Sequence, residues 1–214
     1  MPVSFLTAEQ ERRYGRYAGE PSTDQLARYF HLDDADRELV MAKRWDHMRL
    51  GFAVQLGTVR FLGTFLDDLT GVPDGVIADL ARQLGIGNPN CVVVYREGRA
   101  RWQHAREIRI RLGYREFTDP FTRFRLARWL YALCWTGTDR PSVLFDRATA
   151  WLVSEKVLLP GASALERLAQ ISHSRADFRC GCGELRARTL RKRWLWIEMV
   201  GFNFYESRRA SWSK

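Results

Sequence analysis

The sequence predicts an all-α fold, a multi-helix bundle, on three observations. Helix-starting devices recur along the chain, and apolar residues return at three- and four-residue spacing. Strand-like composition is confined to one short run, Cys91-Val92-Val93-Val94-Tyr95. A lone strand has no ladder partner, so that run is expected as a short helix or an extended linker.

The helices follow in order. Thr7-Ala8-Glu9-Gln10 has capping-box spacing, in which the hydroxyl accepts from a free backbone N–H and Gln10 reaches back. Ser22-Thr23-Asp24-Gln25 repeats the device ahead of Leu26, Tyr29 and Phe30. Asp33 and Asp34 start a third helix, expected to run through Lys43, with acids at its positive end. Asp46 opens a fourth, which Leu50, Phe52, Val54, Leu56, Val59 and Phe61 surround with apolar surface, the pattern of a buried central helix. Gly51, Gly57 and Gly63 lower its intrinsic propensity and imply that neighbouring backbones come close. Pro73 starts and Gly85 ends a fifth.

Residues 99–112 are helical by period, with Trp102, Ala105, Ile108 and Leu112 expected on the inner face and Gly113 as the stop. Asp119 and Pro120 cap and open a helix through Trp135. Arg140 and Pro141 open another, expected to reach Leu158 before Leu159-Pro160-Gly161. Ser163 with Glu166 has capping-box spacing for a last amphipathic helix. Three successive helices joined by short turns admit a helix-turn-helix-like element. Turn residues cluster from Gly85 to Pro89, so two helical subdomains are expected, 1–86 and 87–172, followed by a divergent basic tail, 173–214.

Charge divides the chain more sharply than pattern does. The formal net charge is +9, from 34 basic and 25 acidic residues. Residues 1–98 hold 11 basic and 14 acidic residues, whereas the remainder holds 23 basic and 11 acidic, so the whole excess lies in the second half. That asymmetry is expected of a nucleic-acid face, because each neutralised phosphate releases counterions. The candidate DNA-binding residues are Arg99, Arg101, Arg106, Arg109, Arg111, Arg115, Arg123, Arg125 and Arg128, with Lys156 further on. Trp102, Tyr114, Phe117, Phe121, Phe124 and Trp129 are interleaved with them. The planar fork of arginine pairs with phosphate or with guanine edges. Arg99, Gln103 and Arg106 share a polar flank at helical spacing, suited to tracking a phosphate backbone or entering a groove. Arg101 and Arg109 lie nearer the apolar arc. A solvated, charge-rich surface explains the same residues without a ligand.

Other chemistries are poorly supported. No apolar run reaches the roughly eighteen residues of a membrane span, and Met1-Pro2-Val3-Ser4 lacks the profile of a signal peptide, so a reducing cytoplasm is expected. Cys180-Gly181-Cys182 with His173 offers three potential ligands where a closed zinc site takes four, so neither a metal site nor a cofactor is expected. His104, on the arginine-rich helix, reads as a surface or interhelical residue before a DNA contact. The carboxylates Asp33, Asp34 and Asp36, and Asp67 and Asp68, look like caps or turn residues rather than a metal-binding catalytic set. No catalytic residue is assigned.

Several stretches together resemble Tn-three-family transposases, the large enzymes of replicative transposons. They are residues 2–7 (Pro-Val-Ser-Phe-Leu-Thr), 26–32 (Leu-Ala-Arg-Tyr-Phe-His-Leu), 50–63 from Leu50 to Gly63, 104–109, 113–115, 140–146 and 156–161. The resemblance covers roughly the first 170 residues. It implies an amino-terminal helical module that recognises terminal inverted repeats in double-stranded DNA, with intact transposase subunits as further partners and no membrane association. It also implies that the family's acidic catalytic triad lies beyond the matched region, so the chain is expected to be no enzyme by itself. After about His173 the resemblance stops, and Phe178 to Gly183 and Arg191 to Trp196 suggest a tail read in a foreign frame or a basic amphipathic extension. Two rival readings are an assembly fragment of a transposase and a gene product without function.

Overall fold

A computed structural model describes residues 5–66, 68–136 and 140–180. The chain divides into units of residues 1–172 and 173–214. Of the second, only residues 173–180 are described, and they are helical. The expectations for the tail beyond residue 180, the Cys180-Gly181-Cys182 motif included, lie outside the described residues.

Among the described residues there is no strand, and the all-α expectation holds. The first three starts form as anticipated. Helix α1 (Ala8–Arg13) and α2 (Thr23–Gln25) each carry a complete capping box, on Thr7 and Ser22, and α3 (Asp34–Met41) carries one on Asp33 with Asp36. Helix α2 passes directly into a π-turn over Leu26–Phe30, which rotates Phe30 fully inward. Helix α3 ends at Met41 rather than at Lys43, and Lys43 is free to reach across to Glu107, donating to both carboxylate oxygens at 2.7 Å.

Helix α4 (Asp46–Leu62) is the hub, buried continuously from Leu50 to Val59. Each Leu, Val or Phe so buried contributes about 1.5–3 kcal/mol before entropy is counted. Gly51 and Gly57 are required there, but what approaches them is aromatic rings and not backbone. A Cβ on Gly51 would overlap the Tyr95 ring, and one on Gly57 would overlap Phe30. Gly63 serves differently, as the left-handed residue that ends the helix, with φ 74°. Asp36, almost wholly buried, accepts both terminal nitrogens of Arg60 at 2.7 Å, tying α3 to the hub.

Helix α5 (Asp74–Leu84) packs on the hub, with Pro73 standing as its N-cap. The run 91–95 belongs to a short helix, α6 (Val92–Glu97), which places Tyr95 against Gly51. Helix α7 (Ala100–Leu112) also lies on α4. Residues from Tyr17 to Leu112 contribute to one apolar cluster around α4.

A second cluster gathers α8 (Pro120–Thr136), α9 (Pro141–Ser154) and α10 (Ala162–Cys180) around Leu126, Leu130, Leu144, Phe145, Leu152 and Leu165. The start of the chain belongs to it. Phe5, Leu6 and Tyr14 pack on this cluster, the Tyr14 hydroxyl donates to the Pro160 carbonyl at 2.9 Å, and the Phe5 amide donates to Glu166 at 3.0 Å. Two local expectations are corrected here. Helix α10 begins at Ala162, one residue before Ser163, and Glu166 is engaged by Phe5. Helix α9 stops at Ser154, four residues short of Leu158, because Lys156 turns left-handed with φ 52°.

Candidate nucleic-acid interface

The rotation of α7 decides which of its side chains can meet a ligand. His104 is buried, stacks on Tyr95 and shares a hydrogen bond of 2.9 Å with its hydroxyl. Ile108 is fully buried beside it. Lys43 holds Glu107 on one flank, and the Gln55 side-chain amide donates to the Arg101 carbonyl at 3.4 Å. Burial, reinforced by the Lys43 ammonium, depresses the His104 imidazole below its ordinary value, so it sits neutral. Trp102 was expected inside and is not. It is 63% exposed, on the same outward stripe as Arg99, Gln103, Arg106 and the 65% exposed Ile110.

The end of α7 leads to the basic residues that converge. Gly113, with φ 71°, closes the helix, the Tyr114 amide returns to the Arg109 carbonyl at 2.9 Å, and the Tyr114 hydroxyl donates to the Val59 carbonyl of the hub. Arg115 then runs alongside the turn after α9. Its amide donates to the Lys156 carbonyl and its carbonyl accepts from the Leu158 amide, both at 2.9 Å. This isolated parallel bridge fixes the loop after α7 to the loop after α9.

Glu155 occupies the middle of the junction. Arg115 donates to the Glu155 carbonyl at 3.1 Å and to its Oε2 at 3.3 Å, while Arg125, from α8, donates to the same Oε2 at 2.9 Å. Arg125 also lies over the Trp151 ring, 5.4 Å from its centroid, and Trp151 stacks on Trp129. Lys156 aims its ammonium at the Leu112 carbonyl, the negative end of α7, at 3.5 Å. Two guanidinium groups from two segments therefore share one carboxylate on partly exposed side chains, an excess of one positive charge over Glu155, and the Lys156 ammonium lies on the end of α7 instead. Such a cluster can accept phosphate oxygens without first breaking every existing bond.

The remaining candidates are distributed. Arg109 is engaged by Glu116 at 2.7 Å. Arg101 covers one face of Trp102 with its guanidinium 4.7 Å from the ring centroid. Arg111 is exposed on the last turn of α7. On α8, Arg123 lies 5.9 Å from the Phe117 ring, and Arg128 is exposed on the face that also shows Phe121 and Phe124. Sequence reasoning missed Glu155 and Trp151. An acid set directly before the lone lysine of an arginine-rich stretch was the available hint for the first, and the second had none.

Among the carboxylates weighed for catalysis, Asp33 caps α3, Asp36 binds Arg60, and Asp68 accepts from the Thr70 amide in a short 3-10 turn. Asp67 lies outside the described residues.

An all-helical scaffold with arginines and aromatics on its outer surface is the class of structure at hand, and the chain belongs to the family described as a domain of unknown function, DUF4158, whose model matches residues 5–171. It is similar to the transposase for transposon gamma-delta of Escherichia coli (strain K12), 49% identical over 180 residues, which are 84% of this chain and 18% of that protein. It is also similar to the transposase for transposon Tn501 of Pseudomonas aeruginosa, 32% identical over 84% of this chain and 18% of that protein. The transposase for transposon Tn1546 of Enterococcus faecium is 28% identical over 81% of this chain and 17% of its own length. These matches bear out the resemblance to Tn-three-family transposases and mark the chain as transposition-related. The chain spans less than a fifth of the length of these relatives. None of its described helices is long and apolar enough to cross a membrane.

Proposed function

We propose that this chain binds double-stranded DNA at transposon terminal inverted repeats, with Arg115, Arg125 and Lys156 holding backbone phosphates. The observation that carries the reading is the convergence of Arg115 and Arg125 on Glu155 from two separate segments, beside Lys156 on the end of α7, which leaves an uncompensated positive charge at this junction. Transposases among the relatives make the ends of the element the natural duplex. In this reading the stretch supplies recognition and no strand transfer, acts in the cytoplasm, and works beside transposase subunits at the same ends. Phosphate contacts set the affinity and fix the register, while base contacts supply the preference.

The test is titration of the purified chain with the terminal repeat of its own element and with a scrambled duplex of equal composition, over a salt series. Tighter binding to the repeat, falling steeply as salt rises, supports the reading. Equal and weak binding to both duplexes refutes it. A second reading, attachment to transposase subunits, is favoured by Trp45, 52% exposed, and Met41, 49% exposed, in the mildly acidic first half. Replacement of both by serine distinguishes it, since subunit association is lost there and DNA binding is retained.

A further inference from the structure

We propose that α7 is the groove-reading helix of this module, and that the stripe Arg99, Trp102, Gln103, Arg106 and Ile110 lies against base edges in the major groove. This rests on the DNA-binding reading above and adds to it the element that selects sequence.

Three features of the structure point there. The first is composition. A helix held on its scaffold by one face ordinarily turns a polar face to water, whereas α7 turns outward a tryptophan and an isoleucine that are each nearly two-thirds exposed. The second is charge. Arg99 and Arg106 sit on the same stripe, are exposed, and have no ion pair among the described residues. Glu107 is the acid of α7, and it is held at the flank by Lys43. The apolar surface thus lies between cations, a pattern complementary to a polyanion. The third is rigidity. His104 on Tyr95, Ile108 in the core, Lys43 on Glu107 and Arg109 on Glu116 fix the rotation of the helix. A reading helix gains from this because its rotation is settled before it binds.

The chemistry of the stripe fits base edges. Glutamine pairs with the N6 and N7 edge of adenine, arginine with the O6 and N7 edge of guanine, and an aliphatic side chain with the thymine methyl. From Arg99 to Ile110 the stripe rises about 16 Å at roughly 1.5 Å per residue, a length that covers about five base pairs at ~3.4 Å per step. Arg106 and Gln103 occupy the middle of that span, and Ile110 one end. The phosphate cluster around Glu155 begins only a few residues past the carboxyl end of α7, so one helix reads while the junction behind it grips.

The experiment compares the full chain with its Trp102→Ala, Gln103→Ala and Ile110→Ala variants on the terminal repeat and on the scrambled duplex. Because the three side chains are exposed, the thermal transitions are expected to stay where they are. Each variant is expected to lose about five- to hundredfold in affinity for the repeat, with scrambled-duplex binding and the salt slope unchanged. Replacing thymine by uracil across the repeat is expected to weaken the unmodified chain and to leave Ile110→Ala indifferent. Variants that keep full preference for the repeat overturn the assignment of α7 while the wider DNA-binding reading stands. Loss of subunit association with preference intact also overturns it, in favour of a protein contact. If the unmodified chain shows no preference for the repeat, both readings fall together.

Discussion

Replacing Glu155 by glutamine isolates the electrostatics of the junction. The amide keeps an oxygen where Oε2 now accepts from Arg125 at 2.9 Å and Arg115 at 3.3 Å, so both guanidinium groups retain a partner. The carboxylate charge disappears, and the excess from the two guanidinium groups that share it rises from one to two positive charges. All three side chains are between about a third and a half exposed, which places each pair among surface ion pairs. Two such pairs are together worth about 0.4–2 kcal/mol. A phosphate that no longer competes with the carboxylate recovers that amount, so affinity for any duplex is expected to rise roughly two- to thirtyfold. The salt dependence of log K is expected to steepen by up to about 0.9, one phosphate contact. Fluorescence anisotropy with labelled duplexes at four or five salt concentrations measures both quantities. Weaker binding, or an unchanged slope, would refute the reasoning, because Glu155 would then be holding the arginines in place and not competing for them.

Three further outcomes are expected. Gly51→Ala forces a methyl into the Tyr95 ring and so strains the Tyr95–His104 hydrogen bond. Overpacking of this kind costs about 1–3 kcal/mol, read as a fall of roughly 2–12 °C in the thermal midpoint. The His104 imidazole titrates below 6.5 when folded, so between that point and neutrality the unfolded chain binds more protons. Its contribution is complete above about pH 6.5 and is lost as pH falls through the folded value, so the drop in urea midpoint from pH 7.5 to 5.5 is expected to be smaller in His104→Gln, and an equal drop counts against it. Lys156 occupies the left-handed region with φ 52°, a cost of about 1 kcal/mol for a residue with a Cβ. Lys156→Gly should therefore raise the thermal midpoint by a few degrees while weakening DNA binding and flattening its salt slope by about 0.9.

What the sequence made legible was local. The capping boxes at Thr7 and Ser22 involve residues three apart and form as anticipated, and Asp33 caps α3 as expected, with Asp36 completing a box there that the sequence reading did not name. The hub was legible because apolar residues encircle α4 over several turns. Trp102 falls on the apolar arc of α7 by period, yet it points outward. The polar pair His104 and Tyr95, nine residues apart on different helices, in fact sets the rotation. The arginine-rich stretch could be located but not resolved into roles. Arg115 and Arg125 meet Glu155 across 40 and 30 residues, and Lys156 terminates α9 without the glycine that marks such a turn. Glu166 has cap spacing to Ser163, yet the chain's own start, 161 residues away, takes its carboxylate. Each of these outcomes depends on partners that lie far apart in sequence.

The most direct test of the account is binding of the Arg115→Ala/Arg125→Ala double variant to the terminal-repeat duplex, across a salt series and beside the unmodified chain. With the fold intact by its thermal transition, the account predicts a loss of about ten- to hundredfold near 0.15 M salt and a slope shallower by about 1.8, two phosphate contacts. Unchanged affinity and slope in a folded double variant would contradict it, because the junction around Glu155 would then not be where the duplex is held.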